Sequence, residues 1–96
     1  MGIGELLQDQ RAAVLRIAAS HGAHHVRVVG SVARGDATPT SDIDLLVTLD
    51  PDRSLLDHVA LKQDLEDLLG RTVDVMTEKA LHWYVRDRIL AEAVPL

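Results

Sequence analysis

From Asp42 to Leu49 the chain places Ile43, Leu45, Val47 and Leu49 at every second position. Successive side chains of an extended strand point to opposite faces, so this spacing predicts a strand with one apolar face on a core. Asp42 and Asp44 must then stand side by side on the other face. The stretch Thr72 to Met76 repeats the pattern: Val73 and Val75 share the apolar face, and Asp74 points away from it. If the two strands are neighbours, three carboxylates converge on one face of one sheet. Such acids repel and raise one another's pKa unless a cation sits among them. The plainer alternative is three solvated carboxylates at strand ends.

All-oxygen ligands, with no cysteine in the chain and no histidine in the cluster, favour a hard ion such as Mg²⁺. An Asp-x-Asp pair on an extended strand can bridge two ions, as phosphoryl or nucleotidyl transfer requires. Upstream, the β-branched run Val26 to Val29 reads as a strand ending at Gly30-Ser31. A glycine there lets the backbone approach a phosphate closely, and turn amides with a serine hydroxyl supply donors to phosphate oxygens. Arg34, one turn further on, suits either a phosphate contact or an ion pair with a carboxylate. A glycine-serine pair alone is an ordinary strand-to-loop turn; joined to the in-phase aspartates it becomes a specific signature.

The rest of the chain supplies the frame. Ile3, Leu6, Leu7, Val14, Ile17 and Ala18 recur at helical spacing, predicting one helix from Ile3 to His21 with Gly22 after it in the left-handed conformation. Gly30 to Ser41 has loop chemistry with one helical turn at its start. Ser54 and Asp57 resemble a capping box before a helix carrying Leu55, Val59, Leu61, Leu65, Leu68 and Leu69, closed by Gly70. Thr77 is placed to cap a last helix with Leu81, Val85, Ile89 and Leu90, ending near Pro95. Core packing is the default for Trp83 and Tyr84, with a base or partner contact as the alternative. His21, His24 and His25 make a poor metal site, because adjacent histidines on an extended chain diverge. His58 and His82 read as surface residues, and the charges of Lys62 to Asp67 and Arg86 to Arg88 as solvated helix faces. The order predicts an α/β (α+β) domain over residues 1–96, a small mixed β-sheet with helices packed on one face.

Composition bounds the function. With 96 residues and no Phe, the core must be Leu, Val, Ile and Ala, and there is room for one domain. A net charge of −5 argues against a nonspecific DNA or membrane binder. The absence of cysteine suits a reducing compartment, and no apolar run approaches a membrane span. The acidic N-terminus does not read as a signal peptide. These features predict a cytoplasmic protein.

The segment GSVARGDATPTSDIDLLV resembles the Gly-Ser-x10-Asp-x-Asp motif of the minimal nucleotidyltransferases, in the DNA polymerase beta-like superfamily. The later VDVM supplies a third carboxylate. The resemblance runs from the first helix through the third strand, and no motif position departs from it. It implies that Gly30 and Ser31 hold the triphosphate of an incoming nucleotide. Asp42 and Asp44 would bind Mg²⁺ and that triphosphate. Asp74 would complete the metal site and help to deprotonate the acceptor hydroxyl. It further implies a helical HEPN toxin as partner, with this chain as antitoxin moving AMP from ATP to a tyrosine hydroxyl. Two alternatives are an antitoxin that masks its toxin without catalysis, and transfer to a small molecule, for which the chain leaves little protein around an acceptor.

Overall fold

The structure, a computed structural model, describes residues 3–96, with the Ile3 side chain outside that description. The N-terminal apolar repeat forms two helices, α1 (Ile3–Asp9) and α2 (Arg11–Ser20), where the spacing predicts one. The break is slight. Gln10 N–H still donates to Leu6 O and Val14 N–H to Gln10 O, while Gln10 itself relaxes to φ −100° and ψ 10°. Leu7, Val14 and Ala18 are buried, with Leu6 and Ile17 packed against them. Gly22 follows at φ +75°, the conformation expected of it.

Strand β1 (Ala23–Val29) starts three residues before the β-branched run. Between His24 and Arg27 its register against the next strand shifts, and His25 takes a positive φ of 50°. This β-bulge lets Ala23 and Val26 both face the core although their spacing is odd. Simple alternation therefore misses the first three residues. After β1 come α3 (Gly30–Arg34), β2 (Ile43–Leu49) and α4 (Leu55–Leu69). Strand β3 (Val73–Thr77), a 3₁₀ turn at Glu78–Ala80, α5 (Trp83–Glu92) and β4 (Val94–Pro95) complete the chain.

The four strands form one sheet in the order β3-β2-β1-β4. Strands β2 and β3 are parallel, as a strand–helix–strand crossover through α4 allows, and both β1 pairings are antiparallel. Ile43, Leu45, Val47, Val73 and Val75 meet Leu61, Leu65 and Leu69 of α4 and the buried residues of α1 and α2 in one cluster. The helices α1, α2 and α4 thus build the core on one face, and the mixed α+β class is as expected. The capping box forms: Ser54 N–H donates to Asp57 Oδ2 at 3.0 Å, and Gly70 ends α4 at φ +66°.

Several expectations fail for identifiable reasons. Leu55 and Val59 stay exposed with Leu56: the first turns of α4 turn His58, not these side chains, toward β3. The last helix does not begin at Thr77, whose residue opens the 3₁₀ turn; α5 starts only at Trp83, after His82. Lys62, Glu66 and His58 are not simply solvated. Lys62 Nζ donates to Val73 O at 2.7 Å, Val73 N–H donates to Glu66 Oε2 at 3.0 Å, and His58 Nε2 lies 2.7 Å from Val75 O. These side chains of α4 occupy the outer edge of β3. Among the described residues no helix is long and apolar enough to cross a membrane.

Candidate active site

Register brings two of the three predicted acids together. Asp44 of β2 lies directly opposite Asp74 of β3, and on its other side opposite Val29, the last residue of β1. Both carboxylates occupy the face away from the α1–α2–α4 core, since their neighbours Ile43, Leu45, Val73 and Val75 are buried in it. Asp42 precedes β2 by one residue and is exposed, as is Asp74. Asp44 is half-buried. Burial raises its carboxyl above the ordinary range, Asp74 and then Asp42 add like-charge repulsion, and Arg34 partly opposes them.

Gly30 is tied to that carboxylate by sterics. It sits at φ +72°, and a Cβ there would collide with Asp44 Oδ2 and stand 3.2 Å from its Cγ. Only a glycine meets both demands. The Gly30-Ser31 turn at the start of α3 is therefore seated against the central acid, and Ser31 is partly buried. Arg34 closes α3 and pairs with Asp36 at 3.4 Å and with Glu92 of α5 at 3.3 Å. Asp36, then Glu92, hold it protonated. Arg34 is thus an ion-pair residue, and its charge also reaches Asp44.

Among the described residues, no three His, Asp or Glu side chains approach closely enough to enclose a metal ion. The donor chemistry nonetheless fits a hard cation: Asp44 carries an electrostatic penalty from two acids that a divalent ion would relieve. The histidines take other roles. His21 contacts Asp64 and His24 contacts Asp50, at 2.7 and 2.9 Å.

Trp83 and Tyr84 depart from core packing. They are 80% and 67% exposed and meet edge to face, with centroids 5.8 Å apart, each also tilted against His82. Two arginines, Arg27 and Arg71, escaped the sequence reading. Arg27 is buried on the carboxylate face, where it pairs with Glu78. Arg86, expected on a solvated helix face, instead donates to Glu78 O at 3.2 Å. The signal for Arg27 was an arginine inside a β-branched run, in phase with the acids' face. Arg71 binds the carbonyls of Pro39 and Ser41, and nothing in the sequence marked it.

A mixed sheet carries a glycine-serine turn pressed against Asp44, with Asp42 just before the same strand and Asp74 opposite in register, an arrangement suited to an enzyme core for nucleotidyl transfer. Relatives agree. A family profile describing a nucleotidyltransferase domain matches residues 14–96, and the chain belongs to that family, among the minimal nucleotidyltransferases. A Methanocaldococcus jannaschii protein provisionally named a protein adenylyltransferase is 43% identical over 88 residues, covering 92% of this chain and 95% of that one. The protein adenylyltransferase MntA of Thermococcus cleftensis is 37% identical, over 76% of this chain and 74% of its own. A solved structure provisionally described as a minimal nucleotidyltransferase superposes with TM-score 0.88 at 52% identity, covering 97% of this chain and 95% of that one. A chain from a toxin–antitoxin complex with AMP-PNP superposes with TM-score 0.75 at 16% identity, over 88% of this chain and 69% of its own, a likeness of fold.

Proposed function

We propose that this chain is a single-domain, cytoplasmic, Mg²⁺-dependent adenylyltransferase acting as an antitoxin, which moves AMP from ATP to a tyrosine hydroxyl of a HEPN-type toxin. The observation that carries the reading is the contact of Gly30 with Asp44, beside Asp74 in register. The adenylyltransferase names of relatives at 43% and 37% identity support the nucleotide and a protein acceptor. The toxin–antitoxin complex of the same fold supports the partner class.

In this reading Gly30 and Ser31 hold the triphosphate, with Arg34 contributing charge. Asp42 and Asp44 would hold Mg²⁺, and Asp74 would share that site. The bound Mg²⁺ supplies neutralisation of phosphate charge. Asp74 faces Asp44 across the ladder and is exposed, which supports its role here as the group that takes the proton of an approaching hydroxyl. The tyrosine oxygen then bonds to the α-phosphorus in line as the bond to pyrophosphate breaks. The balance is one AMP gained by the tyrosine, one pyrophosphate released and one proton lost.

The test is co-expression with the product of the neighbouring gene as the candidate toxin, in the unaltered form and as Asp42→Asn/Asp44→Asn. An AMP-sized mass addition on a toxin tyrosine, present only with the unaltered chain, is the expected result. A stable complex without adduct, neutralised equally by both forms, would replace catalysis with masking. No complex at all would direct attention to a small-molecule acceptor.

A further inference from the structure

The residues around Asp42 are held on both sides by one short segment that the proposed chemistry does not use. Thr38 to Ser41 form a turn closed on itself: Ser41 N–H donates to Thr38 O at 3.0 Å, and Thr38 N–H donates to Ser41 Oγ at 2.8 Å. Such a turn has no fixed direction relative to the sheet. Arg71, between α4 and β3, supplies one. Its Nη2 donates to Pro39 O and, at 3.3 Å, to Ser41 O. The next residue, Thr72, accepts from Ile43 N–H through its carbonyl at 3.0 Å.

A peptide unit is planar, so holding one of its polar atoms orients the whole unit. Arg71 holds the peptide joining Ser41 to Asp42, and Thr72 holds the peptide joining Asp42 to Ile43. With both flanking planes fixed, φ and ψ of Asp42 are fixed, and with them the base of its side chain. The guanidinium is committed to this role at a cost, since its Nε is buried with no hydrogen-bond partner. A cavity of about 230 Å³ opens beside it, with Thr40, Ser41, Asp42, Arg71 and Thr72 in its wall.

We propose that Arg71 is a positioning residue for Asp42, aiming that carboxylate at the metal–nucleotide through the carbonyls of Pro39 and Ser41. The inference rests on the reading of Asp42 as a metal ligand. Both bonds leave one terminal nitrogen, Nη2, of a rigid planar guanidinium, whose direction is fixed where a lysine ammonium turns freely on a flexible stem. Residues that orient metal ligands typically contribute 10- to 100-fold in affinity.

The experiment follows Arg71→Ala and Arg71→Lys by NMR titration with AMP-PNP, once with Mg²⁺ and once in EDTA, and by amide exchange in the free protein. The expected result is faster exchange at Ile43 and Ser41, Mg²⁺–AMP-PNP binding weakened at least about tenfold, and metal-free AMP-PNP binding unchanged. Arg71→Lys should fall between, and it carries the comparison should the alanine variant fail to fold. Equal weakening with and without Mg²⁺ would overturn the proposal in favour of a direct phosphate contact. Unchanged exchange and affinity would overturn it outright. Failure of the unaltered chain to bind Mg²⁺–AMP-PNP would overturn the functional reading, and this role with it, which distinguishes the two failures.

Discussion

Gly30 and Asp44 constrain each other at the scale of single atoms. The glycine holds a left-handed φ of +72°, and the space its Cβ would need is filled by the Asp44 carboxylate. For Gly30→Ala the backbone strain costs roughly 1–2 kcal/mol, and the new methyl displaces the acid. A misplacement of about 1 Å at a reacting centre costs on the order of 100-fold. Transfer activity is therefore expected to fall by about that factor while the protein remains folded; a variant within twofold of the parent would show that the contact is incidental. Asp44 itself is held against its preference by burial, Asp74 and Asp42. Asp44→Asn is expected to raise the melting temperature of the metal-free protein and to abolish transfer. A lower melting temperature, read by calorimetry in EDTA, would contradict the repulsion argument.

Among elements, α4 and β3 share a titratable joint. Glu66 accepts from Lys62 and from Val73 N–H, and these bonds pull its carboxyl below its ordinary 4.5. A depressed carboxyl adds stability that is complete above the ordinary value and is lost as pH falls through the folded one. Glu66→Gln should therefore melt lower than the parent near neutrality, and the gap should close as pH drops below about 4.5. A gap independent of pH would point to lost shape and not lost charge. The same joint marks what the sequence could convey. The parity of Ile43, Leu45, Val73 and Val75 was legible, because alternation is a local property, and it alone assigns the aspartates to the opposite face. The glycines at 22 and 70 were legible as helix ends for the same reason. Lys62, Glu66 and His58 were not, since their partners are main-chain atoms of a strand that only the crossover brings near. The bulge at His25 hid the start of β1 by breaking the period of two. Arg27 and Arg71 act on Glu78 and the Pro39–Ser41 loop, each more than thirty positions away or nearly so in sequence, and no local pattern encodes such a pairing. Trp83 and Tyr84 were expected inside by residue type, yet a small core filled by Leu, Val and Ile has no place for them.

For the molecule as a whole, the repulsion at the carboxylate face couples ligand binding to folding. Mg²⁺–ATP bound to the native state alone adds about 2.7 kcal/mol at a concentration 100 times Kd. The melting temperature should rise with Mg²⁺–ATP in the parent and stay fixed in Asp42→Asn/Asp44→Asn; no rise at saturating ligand would mean the site is not formed in the free protein. The sheet also dictates how this chain meets others. Side chains of α4 already occupy Val73 N, Val73 O and Val75 O along the outer margin of β3. A foreign strand arriving there finds these three hydrogen-bonding positions taken. Templated growth of the sheet into a fibre is hindered on that flank, which favours assembly with another protein through side-chain shape and charge.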